Sequence, residues 1–311
     1  MREAFGNELV RLGESHPELV VLDADVSSST KSKMFGQKYP SRFFNVGVAE
    51  GNLADVANGL ATCGYHPVAN AFAIFLSLKS TDQIRNVSCY NNLPVVFAGA
   101  YGGLSDSFDG ASHQAIEDIA IMRALPGMQV IVPSDARQAE LALDYALLQK
   151  GPVYIRLNRN AVPDLGEPKD FASGEAILLR EGKDVTIAAN GITASYALEA
   201  ADLLKKEGVD AEVFSVPFVK PLRFGVLGKS VRKTGRLLTV EEHVWEGGFG
   251  EAIAGECLLD GTGPRFDAIA LHSFTETGPY DALLEKYGIN AGNIASHAKA
   301  LCKKGGWMKL A

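Results

Sequence analysis

Short β-rich apolar runs alternate with helical patterns along almost all of the 311-residue chain, and this alternation is what most restricts its fold. LVVLD (19–23), PVVFAGA (94–100), VIV (130–132) and VYIRL (153–157) read as strands buried on both faces, as in a parallel sheet. Between them lie amphipathic stripes: Phe5, Leu9 and Leu12 form one, and Ala49, Leu53, Val56, Ala57 and Leu60 form another. Ser134 and Asp135 can cap a helix running to about Gln149, where Gly151 and Pro152 stop it. Strand–helix alternation of this kind predicts layered α/β architecture with a mostly parallel sheet.

The rhythm breaks at RNAVPDLGEPKDFASGE (159–175), which is polar and carries two prolines and two glycines. It reads as a connection between two α/β domains, with domains at 1–163 and 176–311 and a linker at 164–175. In the second domain, strands are expected at 184–189, 211–216, 236–242 and 266–271. Helices are expected at about 192–207, 248–259, 278–287 and 290–304.

Composition narrows the partners. A net charge of −7 with no block of Lys or Arg argues against nucleic acid or an anionic membrane surface. No apolar run reaches the ~18 residues that suggest a membrane span. The four cysteines are scattered, form no CxxC and have no His at metal-ligand spacing, so they read as reduced, buried thiols in a cytosolic protein, and no metal site is expected.

The most informative stretch for chemistry is FNVGVAEGNLADVANGLATCGYHPVANAFAIF (44–75). The carboxylate Glu50 follows an apolar strand-like segment, 43–48. Two aromatics three apart, Phe72 and Phe75, end what reads as the next strand. A carboxylate and aromatics at neighbouring strand ends can hold a flat heteroaromatic ring, the acid bonding its edge and the Phe side chains covering its faces. Glu50 alone could equally be a first-turn acid favoured by the helix dipole.

This stretch resembles the pyrimidine-binding half of transketolases, which use thiamine diphosphate. LDADVSSST, FNVGVAEGN, AFAIF, GLSDSFDGASHQ, GPVYIRLNR and TVEEHVWEGGFGEA follow in the family's order and at compatible separations. The likeness covers nearly the whole chain and is closest to the C-terminal subunit of split transketolases. It implies a pyrimidine-binding domain followed by a transketolase C-terminal domain. It also implies transfer of a two-carbon ketol unit from a ketose, phosphorylated or not, to an aldose. The beta subunit of a 2-oxo acid dehydrogenase and a deoxyxylulose phosphate synthase-like enzyme, which share the glutamate motif, are the alternatives.

By resemblance, Glu50 is the catalytic glutamate that favours the imino tautomer of the aminopyrimidine, and Phe72 and Phe75 stack on that ring. Asp25 and Val26 contact the thiamine part. His113 lies beside the reacting carbon, and Asp109 reads a sugar hydroxyl. Arg2, Ser29 and Arg159 hold a substrate phosphate, a role that suits bidentate guanidinium groups. Two positions depart from the family: Leu78 stands where a third aromatic is common, and Tyr101 stands where transketolases usually have His. EGGFGEA (246–252) is not GxGxxG, and the resemblance makes it structural or close to a subunit interface.

The family grips Mg²⁺ and the diphosphate through a GDG motif followed by Asn, and no GDG occurs in this sequence. The expectation is therefore half a site. An N-terminal subunit would supply Mg²⁺ and the diphosphate grip, in a heterotetramer built on a homodimer of this chain.

Overall fold

The computed structural model describes residues 1–303. The first six strands are β1 (Leu19–Asp23), β2 (Phe43–Asn45), β3 (His66–Phe72), β4 (Val96–Ala100), β5 (Gln129–Ile131) and β6 (Val153–Leu157). They lie side by side in the order β5-β6-β4-β3-β1-β2, all parallel. Every residue of β1, β4 and β6 is buried, as unbroken apolar runs require when helices cover both faces. The helix Arg2–Ser15 seals one face through Phe5, Leu9 and Leu12. The Asp135 carboxylate caps the helix Ala136–Leu147 by accepting the Gln138 N–H at 2.8 Å.

Six further strands follow: β7 (Ile177–Arg180), β8 (Val185–Ala189), β9 (Ala211–Ser215), β10 (Phe218–Lys220), β11 (Arg236–Val244) and β12 (Arg265–Leu271). The second sheet has the order β12-β11-β8-β9-β7, parallel except for β7, which runs antiparallel at the edge. The helices Thr193–Lys206, Phe249–Leu259, Tyr280–Lys286 and Ala291–Cys302 stand where expected. Residue 304, the predicted end of the last one, lies outside the described residues, as do 305–311. A further helix, Gly225–Thr234, was not anticipated.

Three local expectations need correction. The strand expected at 43–48 ends at Asn45. Gly47 takes φ +76°, a left-handed turn that redirects the chain before the helix Glu50–Thr62. Phe75 does not end a strand: β3 closes at Phe72, and Phe75 lies on the helix Ala73–Lys79. All four cysteines are free thiols, but only Cys257 is buried and Cys63 is exposed. Among the described residues no helix is long and apolar enough to cross a membrane, and no cluster of His, Cys, Asp or Glu could hold a metal ion.

The two sheets are joined by β10. This strand leaves the second sheet after β9 and pairs antiparallel with β5, becoming the seventh strand of the first sheet. Phe218 is buried there between Tyr145 and Phe171, at ring-centroid distances of 5.0 and 5.1 Å. The Lys220 ammonium donates to the carbonyl oxygens of Arg123 and Leu125 at 2.7 and 2.5 Å. Phe218→Ala would open a cavity at this junction. It is expected to cost about 3–5 kcal/mol, read as a lower denaturant midpoint with both sheets losing stability together.

Candidate active site

The functional candidates collect at the carboxyl ends of the parallel strands, where open α/β sheets place their ligands. Strand register explains the grouping. Phe72 pairs with Ala100 and Ala100 with Leu157, so the chain emerges at adjacent points before Tyr101 and before Arg159. Asp23 pairs with Asn45 on one side and Asn70 on the other.

Glu50 is the first residue of its helix and only 5% exposed. The helix N-terminus favours a negative charge there, and the Ser80 hydroxyl anchors the Glu50 carbonyl oxygen at 2.7 Å. Its carboxylate accepts from the Lys79 ammonium at 3.2 Å. That ammonium also lies over the Phe75 ring, 4.4 Å from its centroid. Phe72 and Phe75 are 6.3 Å apart at 36°. The His113 ring meets Phe75 edge-on at 5.0 Å, and its Nδ1 is 3.0 Å from the Ser112 hydroxyl. One buried carboxylate, two aromatic rings and a histidine therefore share one locus.

A second group forms around Tyr101. Its ring stacks on Phe72 at 4.6 Å and 17°, and the guanidinium carbons of Arg2 and Arg159 lie 4.9 and 5.0 Å from its centroid. Arg2 donates to the Tyr101 hydroxyl at 2.9 Å, to the Ser29 carbonyl oxygen at 2.5 Å and to the Arg159 carbonyl oxygen at 3.1 Å. Ser29 thus meets Arg2 through its backbone and not its hydroxyl. All three acceptors of Arg2 are neutral, so its positive charge is not cancelled by these bonds.

Asp25 is exposed at φ +64°, its Oδ1 accepting from the Asn45 amide at 2.7 Å. The Val26 N–H donates to Asp23 at 2.6 Å. Asp23, fully buried, also accepts from Thr30 and Ser32 at 2.8 and 2.7 Å, which folds the LDADVSSST segment around itself. Asp109 is exposed on the loop 101–117, close to the buried Asp106. Sequence reasoning missed Asp23, Lys79 and Asp106. Asp106 sits in the GLSDSFDGASHQ motif beside Asp109. Lys79 carried no signal, because its partner Glu50 lies 29 residues away.

Asp106 ion-pairs with Arg159 at 3.3 Å. Burial, and next the Asp109 carboxylate, push its pKa up to about 6, against the pull of Arg159 and His113. The folded chain thus takes up this proton near pH 6, whereas the unfolded chain does so only near the ordinary carboxylate value. The group's contribution to stability is complete in acid and is lost as pH rises through about 6. Carboxyl NMR should find an aspartate titrating there. The signal should vanish in Asp106→Asn and move down in Asp109→Asn, which removes the neighbouring negative charge that raises it.

Comparison with known proteins identifies both parts of the chain. Residues 1–164 match the transketolase pyrimidine-binding domain and residues 174–294 the transketolase C-terminal domain. A transketolase C-terminal section from Methanocaldococcus jannaschii is 38% identical over 98% of this chain and 96% of that protein. The 6-deoxy-6-sulfo-D-fructose transketolase subunit SqwH of a Clostridium species is also 38% identical, over 98% of this chain and 95% of its own length. A solved split gene transketolase, an inactive beta4 tetramer, superimposes with a TM-score of 0.88 at 43% identity, covering 97% of both chains. The chain also matches 1-deoxy-D-xylulose-5-phosphate synthases, spanning 48% of the one from Geobacter sulfurreducens at 37% identity.

Proposed function

The chain belongs to the transketolase family, and we propose that it is the C-terminal subunit of a thiamine diphosphate-dependent transketolase. It would move a two-carbon ketol unit from a ketose to an aldose. The observation that carries this reading is the buried Glu50 carboxylate within one locus with Phe72, Phe75 and His113. A hydrogen-bonding acid beside two rings suits an aminopyrimidine, so the residues fit that part of the cofactor. Lys79 must then give up its bond to Glu50, which its half-exposed, flexible side chain permits.

Glu50, Phe72 and Phe75 would hold the pyrimidine, with Asp25 and Val26 near the rest of the thiamine. When bound, thiamine diphosphate would supply the nucleophilic carbon chemistry that ketol transfer needs. Glu50 holds a proton at the ring nitrogen, and burial keeps that exchange away from water. His113 donates a hydrogen bond to the substrate oxygen where charge develops. Asp109 receives a sugar hydroxyl. Arg2 and Arg159 flank Tyr101, Arg2 also reaching the Ser29 carbonyl oxygen, and suit a tetrahedral anionic terminus such as phosphate or sulfonate. With Tyr in place of the usual His, that terminus meets a neutral hydroxyl that already accepts from Arg2.

The metal and the diphosphate grip belong, in this reading, to a partner subunit of the GDG-bearing kind. The assembly would be a cytoplasmic heterotetramer around a homodimer of this chain. The full-length likeness to a C-terminal section and to a split gene transketolase supports that division.

Glu50→Gln, assayed with the diphosphate-binding partner, is expected to lower turnover ~10²–10⁴-fold while leaving assembly intact. Unchanged turnover would remove Glu50 from the mechanism. Consumption of pyruvate or a branched oxo acid in place of a ketose would select the alternatives, a 2-oxo acid dehydrogenase beta subunit or a deoxyxylulose phosphate synthase-like enzyme.

A further inference from the structure

The loop 101–117 carries Tyr101, Asp109 and His113, together with Asp106, and part of it is tied locally. Gly102 N–H donates to the Leu157 carbonyl oxygen at 3.0 Å, Gly103 N–H to that of Ala115 at 2.8 Å, and the Ser105 hydroxyl to that of Gly102 at 2.7 Å. Leu104 is different. Its buried N–H donates to Glu242 Oε1 at 2.8 Å, a residue of β11 in the second sheet, 138 positions away.

Glu242 is 3% exposed and accepts from three sides. The Tyr280 hydroxyl reaches Oε1 at 2.9 Å, and the Asn158 amide reaches Oε2 at 3.1 Å. Asn158 directly precedes Arg159, and its own Oδ1 is taken by the Asn160 N–H at 2.8 Å. The carboxylate therefore grips both arms of the site, the loop with Asp109 and His113 and the strand end with Arg159. Gly103 shows how close the approach is. It takes φ +65°, and a Cβ there would lie 2.3 Å from the Glu242 carboxyl carbon.

We propose that Glu242 is a positioning residue that sets the loop 101–117 and the Arg159 segment relative to each other, giving the second domain a direct part in substrate placement. Its link to substrate rests on the transketolase reading. Its link to the loop does not. Burial pushes the Glu242 pKa up to about 7, opposed by Arg156, the Tyr280 hydroxyl and the Leu104 N–H. A carboxylate offers acceptors only, whereas a Gln at the same place would turn an N–H₂ group towards a donor. The single Gln oxygen can serve the Leu104 and Tyr280 side or the Asn158 side but not both, so one arm of the grip is lost, and the Leu104 N–H cannot reverse.

The test has two readouts. In the isolated full chain, Glu242→Gln is expected to raise amide exchange at residues 103–115 about tenfold or more, leaving β8 and the helix Glu50–Thr62 protected. In the complex with its partner subunit, the same variant should raise KM for the sugar about tenfold and leave thiamine diphosphate affinity within about twofold. Should Glu242→Gln fail to fold, Tyr280→Phe removes one donor to the same carboxylate, together with the hydroxyl that accepts from the Asn158 amide at 3.1 Å. It should loosen the same segment by a smaller factor. Unchanged exchange at 103–115, or exchange rising equally across the second sheet, would overturn the proposal. So would a KM unchanged beside a loosened loop. A complex that turns over no ketose while the exchange result holds would sink the transketolase reading and leave the clamp standing.

Discussion

The buried guanidinium of Arg156 organises the seam between the two sheets. It lies near the carboxyl end of β6, 5% exposed, and pairs with the fully buried Asp118 at 3.0 Å. Its Nη2 donates to the carbonyl oxygens of Ala115 and Glu242, at 2.7 and 2.9 Å. One side chain thus joins the first sheet, the end of the loop 101–117, the helix Asp118–Ala124 and β11. A buried pair of this kind adds little stability over an apolar substitute. Removing one member leaves a charge stranded, at about 3–5 kcal/mol. Its value here is geometric: it fixes where the loop begins its return and where β11 passes.

From that seam the site follows by register. Parallel strands deliver Phe72, Tyr101 and Arg159 side by side, and the loop from β4 brings His113 back against Phe75. The result has a cationic end and an aromatic end. Arg2 and Arg159 flank Tyr101, Tyr101 stacks on Phe72, and Phe75 meets both His113 and the Lys79 ammonium.

Much of this was legible in the residues, for identifiable reasons. Buried parallel strands are continuous apolar runs, so LVVLD and VYIRL announce themselves, and Asp135 with Gly151–Pro152 brackets a helix by capping and breaking. β10 was not legible: three residues between Pro217 and Pro221 carry no period, and only β5 makes them a strand. The placement of Phe75 on a helix was hidden because an i, i+3 aromatic pair fits either ending. Glu50 was legible only through its surrounding motif. Lys79 on Glu50 and Glu242 on Leu104 are tertiary pairings across 29 and 138 residues, and no local pattern encodes either. The loop motif GLSDSFDGASHQ suggested what the loop carries but not what holds it.

The central claim is that this chain holds the pyrimidine half of a divided cofactor site. Calorimetric binding of thiamine diphosphate with Mg²⁺, first to the chain alone and then to the chain with a GDG-bearing partner, tests it most directly. Feeble binding alone and tight binding together is the predicted result. Tight, Mg²⁺-dependent binding by the isolated chain would mean that it contains its own diphosphate site, and the divided-site account would fall.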